Sequence, residues 1–159
     1  MAKTIIIDGY NLAFASGKIR PVLLKEKKEG RALLLDILAG YKKALGYDIT
    51  VIFDGAEGKE HKTDRVRGIK VVYSRPPQNA DRVIKDQAAI LKKTKALTVV
   101  TSDRELAHHV KGRQVEVIGS GQFLQRMEGE LSRRGADKER PGRIDVKEWL
   151  EYFGIKGKE

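Results

Sequence analysis

The chain has 159 residues, enough for a single domain whose core stands without disulfides or a structural metal. It contains no cysteine, which excludes thiol nucleophiles, zinc–thiolate sites and disulfide frameworks and fits a reducing, cytoplasmic setting. Lysine and arginine number 32 against 22 acids, a formal net charge of +10, and such an excess points to a polyanionic partner, nucleic acid first among them.

Strand and helix patterns alternate from the start. Thr4 to Ile7 is a β-branched strand stopped by Asp8-Gly9, where the glycine is expected to let the chain turn away. The apolar run is too short for a signal peptide or a membrane span. Residues 30–45 carry Leu34, Ile37, Leu38, Tyr41 and Leu45 at the spacing of a core-facing helix, with Gly46 as its stop. Asp48 to Phe53 is a second strand, again ended by an acid, Asp54. Residues 55–68 are charged and glycine-containing without apolar period, which predicts a loop.

Ile69 to Tyr73 is the third strand, ended by Pro76-Pro77. Asn79 is placed to cap a helix reaching about Lys93. Leu97 to Thr101 is the fourth strand, and Ser102-Asp103-Arg104-Glu105 reads as a capping box opening another helix. Gln114 to Ile118 is a fifth strand, and a short helix follows from Gln122 to about Leu131. A polar, basic segment then precedes a last amphipathic helix, Asp145 to Phe153. Near-continuous apolar strands separated by helices predict an α/β fold: a three-layer αβα sandwich with a central, mostly parallel sheet of about five strands. Residues 1–131 form the domain, with 132–159 a basic connector and a helix packing back on it.

Ligands of open parallel sheets bind outside the carboxyl ends of the strands. Asp8 and Asp54 directly follow strands one and two, Asp103 lies two residues past strand four, and Asp81 sits in the first turn of the helix after strand three. Four junctions thus deliver an aspartate to one edge, with Asn11 and Ser102 beside them. Singly, each acid has a plain explanation as a turn residue or a favourable charge at a helix start. Together they repel one another unless a hard divalent cation, Mg²⁺ or Mn²⁺, neutralises them. In a basic protein this pattern points to metal-assisted phosphodiester hydrolysis. The alternatives fit poorly. Gly119-Ser120-Gly121 lacks the third glycine of a dinucleotide loop, a P-loop is absent, and Tyr10 stands where a phosphatase would need a second acid. His108 and His109 diverge on their helix, so two converging imidazoles are not expected.

The motifs IIIDGYNLAF, ITVIFDGAEG, VVYSRPPQNADRVI and VVTSDRELA, in this order, resemble the YacP-like group of NYN domains, within the PIN-like nuclease superfamily. The likeness runs from about residue 4 to 124. It implies a PIN-like fold and a metal-dependent endoribonuclease. Asp8, Asp81 and Asp103 would be the principal metal-binding acids and Asp54 the aspartate of the FDG motif. Asn11 would position Asp8 or a water, and Ser102 would orient the site. It also implies messenger RNA as substrate, with the ribosome as a partner. The competing reading is an RNA- or ribosome-binding module that kept the fold without the chemistry.

Charge alone nominates the RNA-binding residues. Lys59, Lys62, Arg65 and Arg67 follow strand two and Arg75 follows strand three. Arg20, Lys25, Lys27 and Lys28 follow strand one, and Arg104 adjoins Asp103. All are expected on the edge that carries the aspartates. Arg133, Arg134, Lys138, Arg140 and Arg143 fall in the connector.

Overall fold

The computed structural model describes residues 3–55, 62–93, 96–112 and 114–137. Six strands form one sheet: β1 (Thr4–Asp8), β2 (Asp48–Phe53), β3 (Lys62–Val66), β4 (Ile69–Tyr73), β5 (Leu97–Val100) and β6 (Val115–Ile118). Their spatial order is β3-β4-β2-β1-β5-β6, and every pairing is parallel except β3 with β4. The six helices are α1 (Gly9–Ala15), α2 (Ile19–Lys25), α3 (Lys27–Leu45), α4 (Ala80–Leu91), α5 (Arg104–Val110) and α6 (Ser120–Asp137).

The three isoleucines of β1 divide between two cores. Successive strand side chains point to opposite faces. Ile5 and Ile7 therefore pack with Leu34, Leu38, Tyr41, Phe123 and Met127 under α1, α2, α3 and α6. Ile6 points the other way, to Ile84, Val83, Leu106 and Val110 of α4 and α5. Both faces of β1 are dry, which accounts for an unbroken β-branched run and makes this a three-layer sandwich.

The hairpin β3–β4 is where a loop was expected. Arg67 and Gly68 form its two-residue turn, both at positive φ (52° and 85°). Thr63, Asp64 and Arg65 are all exposed, so this edge strand carries no apolar alternation by which to be recognised. The helices α1 and α2 were likewise not anticipated. At seven residues each they offer about two turns, too few for a clear period. The long helix α3 starts at Lys27 and ends on left-handed Gly46, whose N–H reaches the Lys42 carbonyl. Helix α6 runs from Ser120 through the expected boundary at residue 131 to Asp137. The helix expected at 145–153 and the connector residues Lys138, Arg140 and Arg143 lie outside the described residues. Among the described residues, no helix is long and apolar enough to cross a membrane.

Candidate active site

The two-residue period that splits the isoleucines also aims the acids. Asp8 has the parity of Ile6 and Asp54 that of Ile52, and both of those isoleucines belong to the α4–α5 core. At the carboxyl ends of β1 and β2 the two aspartates therefore face the layer of α4 and α5. Both helices begin at that same edge, bringing Asp81 in the first turn of α4 and Asp103 as the N-cap of α5. Four chain segments thus place an aspartate on one side of one sheet edge.

Asp8 is the most enclosed of the four. Its Oδ2 accepts a hydrogen bond from the Thr101 hydroxyl at 3.1 Å, and the Thr101 oxygen accepts from the Asp103 N–H at 3.1 Å. Burial pushes the Asp8 carboxyl up to about 6, and the charges of Asp81, Asp103 and Asp54 add to the rise against the lowering effect of Thr101. Asp81 is raised for the same reasons, burial first and then the charge of Asp103, with Lys85 acting in opposition. Among the described residues none of the four pairs with a lysine or arginine.

Two of the acids also have building work. Asp103 Oδ1 accepts from the N–H groups of Glu105 and Leu106, which makes Asp103, and not Ser102, the cap of α5. Asp54 Oδ1 accepts from the Ser74 hydroxyl at 2.9 Å and from the Ala80 N–H at 3.0 Å. Asp54 thereby anchors the start of α4 to the end of β2, and with it the position of Asp81. Among the described residues, its second oxygen has no hydrogen-bond partner.

Asn11 forms no hydrogen bond with Asp8. Its Oδ1 accepts from the Ser102 N–H at 2.9 Å and from the Ser120 hydroxyl at 2.6 Å, while Ser102 Oγ accepts from the Ser120 N–H at 3.0 Å. Asn11 and Ser102 thus clamp three junctions together: β1–α1, β5–α5 and β6–α6. Gly9 is not a conformational hinge either. It is the first residue of α1, and a Cβ there would lie 2.6 Å from the ring of Phe53, so the small residue lets α1 press against β2.

Among the described residues, no three His, Asp or Glu side chains stand close enough together to hold an ion between them. The donor set nonetheless suits a hard divalent cation. It consists of carboxylate oxygens whose mutual repulsion is relieved by positive charge, and Mg²⁺ is commonly held by one or two carboxylates with waters and substrate phosphates.

The basic residues divide. Arg75 and Arg104 are exposed at the carboxyl edge, following β4 and opening α5. Lys27 is exposed there too, its Nζ 5.0 Å from the centre of the Tyr10 ring. Lys62 enters β3 opposite Tyr73, at the same edge. Arg65 and Arg67 go elsewhere: the antiparallel hairpin carries them back to the start of β4, where Arg67 meets Asp36 at 3.3 Å and Arg65 reaches the Gly68 carbonyl. Arg20 is the second residue of α2, beyond α1, whose seven residues span about 10 Å. Lys59 lies outside the described residues.

Three residues of this edge were missed in the sequence. Thr101 and Ser74 are single hydroxyls at strand ends with no spacing to mark them. Arg31 donates to the Tyr10 hydroxyl at 3.0 Å and lies over the Tyr73 ring at 5.7 Å. Its place on α3 reads as an ordinary basic helix position.

The comparisons bear on the family and the fold. The family model for the YacP-like NYN domain matches residues 5–148. Over 102 residues the chain is 28% identical to the uncharacterized protein YacP of Bacillus subtilis (strain 168), a match covering 62% of this chain and 59% of that protein. The chain thus matches less than two thirds of that relative's length. Two crystal structures of Rae1 (YacP) from Bacillus subtilis superpose on this fold. One, of a single-substitution mutant, does so with a TM-score of 0.66 at 23% identity over 94% of this chain and 92% of that one. The other does so at 0.61 and 25% identity, over 84% and 79%. The match at residues 5–148 spans all six strands and the four acid-bearing junctions, and the chain belongs to the YacP-like NYN family of PIN-like nucleases.

Proposed function

We propose that the protein is a Mg²⁺- or Mn²⁺-dependent endoribonuclease that hydrolyses phosphodiester bonds of messenger RNA. The observation that carries this reading is the convergence of Asp8, Asp54, Asp81 and Asp103 on one face, where burial first and then the charges of the other three lift Asp8 to about 6, in a chain of net charge +10. A binder of polyanions gains nothing from four carboxylates at its groove, since each repels phosphate.

Asp8, Asp81 and Asp103 would share the ion, one or two of them binding it directly and the rest through its waters, with Asp54 beside them. When bound, the ion supplies positive charge that lets a phosphate approach the carboxylates and acidifies an attacking water. The remaining tasks fall to the chain. Thr101 fixes the rotamer of Asp8 and, through the Asp103 backbone, the start of α5. The Asn11–Ser102–Ser120 clamp keeps the β5–α5 turn in register with β1. Arg75, Arg104 and Lys27 supply cations for flanking phosphates in a salt-dependent, sequence-independent way.

The test compares cleavage of purified single-stranded and structured RNA, and of message on ribosomes, in Mn²⁺ and in EDTA. We expect cutting that needs the metal and is lost in Asp81→Asn while RNA binding persists. Metal-independent cutting, or full activity of Asp81→Asn, overturns the mechanism. Cutting of ribosome-bound message alone retains the mechanism and makes the ribosome a partner.

A further inference from the structure

Beside the acidic edge, a cleft of about 520 Å³ runs between α5 and β6. Asp103 and Arg104 line its near end, so it is continuous with the aspartates. Arg104, Ala107, His108 and Lys111 fall at i, i+3, i+4 and i+7, one stripe of α5 and the residue after it. Val115 and Val117, two apart on β6, form the opposing apolar wall. Arg104, His108 and Lys111 are all exposed, and none forms an ion pair among the described residues. An apolar floor with cations along one rim is the lining a nucleotide needs: a surface for the base and charge for its phosphate. The volume lies within the range of small-molecule sites.

We propose that this cleft is a nucleotide subsite, holding one unpaired nucleotide of the RNA strand next to the bond that is cut. The inference rests on the nuclease reading above and adds to it a substrate requirement. A base can lie against Ala107 and Val117 only when it is unstacked from a duplex, so the strand is single at this position. Arg104 meets the phosphate nearest the aspartates and Lys111 the next one along the strand. His108 stands between them on the rim.

The test uses uridine monophosphate, inorganic phosphate and a labelled single-stranded oligoribonucleotide with a hairpin duplex of the same sequence. In amide NMR spectra, uridine monophosphate is expected to shift Ala107, Lys111 and Val117, whereas inorganic phosphate leaves Val117 unmoved. In the Asp81→Asn background, Lys111→Glu and His108→Ala weaken single-strand binding. Lys111→Glu also lowers the slope of log affinity against log salt by about 0.7, the value of one lost phosphate contact. Both positions are exposed, and unchanged amide spectra elsewhere establish that the variants fold. Uridine monophosphate that leaves Ala107 and Val117 unmoved overturns the subsite, as does a hairpin bound as tightly as the single strand with both variants neutral. The two readings separate cleanly. RNA cut without cleft shifts removes the subsite alone; cleft shifts without any metal-dependent cutting remove the nuclease reading and leave a nucleotide-binding cleft.

Discussion

In the amino-terminal half of the sheet, Glu116 grips the Arg126 guanidinium with both oxygens, at 3.0 and 2.6 Å, and takes the Thr98 hydroxyl at 3.1 Å. Those partners, Arg126 first, hold its carboxyl down to about 2. Close by, Glu130 accepts the hydroxyls of Tyr41 and Tyr47, joining α6 to α3 and to the entry of β2. At the carboxyl ends the aspartates instead face one another, and Asp8 is held up at about 6. The same residue chemistry is satisfied at one end and frustrated at the other. Structural carboxylates are given their counter-charge by the fold. Under the proposed function the aspartates wait for a counter-charge that arrives with a ligand, in keeping with the gathering of perturbed groups at such sites.

Substitutions sharpen this contrast, and the largest effect is expected at the frustrated end. Asp81→Asn or Asp103→Asn should lower RNA cleavage by more than about 100-fold, since even residues that only support metal ligands are worth 10–100-fold. Asparagine still caps a helix, so Asp103→Asn should melt within a few degrees of the parent, as thermal unfolding would show. Thr101→Val, which releases Asp8 and the Asp103 N–H together, is expected to cost about 10–100-fold in cleavage rate.

At the satisfied end the effect should appear in stability. Glu130→Ala orphans the buried Tyr41 hydroxyl, and urea unfolding should show a loss of about 1–3 kcal/mol. Cleavage below the melting transition should be unchanged; a loss of cleavage there would break the division between the two ends.

The smallest expected effects are in pH dependence, with opposite signs. Asp8 has a folded value near 6, above its ordinary 3.8, so its ionisation destabilises metal-free protein above pH 6, and the penalty fades as pH falls toward 4. In EDTA, Asp8→Asn should therefore raise Tm at pH 7.5 and by less at pH 5. Glu116 has a folded value near 2 against an ordinary 4.5. Its stabilising share is complete above about 4.5 and is lost as pH falls toward 2. Arg126→Met should lower Tm modestly at pH 7, both partners being partly exposed, and by less at pH 2.

The sequence made the parallel core legible because strands buried on both faces must be continuously apolar, and because a helix such as α3 repeats its apolar stripe over about three turns. It hid β3, whose exposed residues carry no period, and the two-turn helices α1 and α2. Asp8 and Asp54 stood out as charges at the ends of apolar runs. Thr101, Ser74 and Arg31 did not, since their partners lie 93, 20 and 21 residues away. Arg65 and Arg67 were assigned to the acidic edge on sequence proximity, which an antiparallel hairpin reverses.

What the residues determined by themselves is the alternation of elements and, through it, the delivery of four aspartates to one sheet edge. That follows from local periodicity and from the right-handed crossovers that parallel strands require. Which face of that edge they share, which oxygens remain uncommitted, and which hydroxyls and amides hold them were decided only by tertiary contact. The Asn11 clamp is the plainest case. An asparagine three residues past an aspartate reads as its partner, yet its oxygen is taken by Ser102 and Ser120, because packing β1 beside β5, and β5 beside β6, brings the β5–α5 and β6–α6 junctions to it.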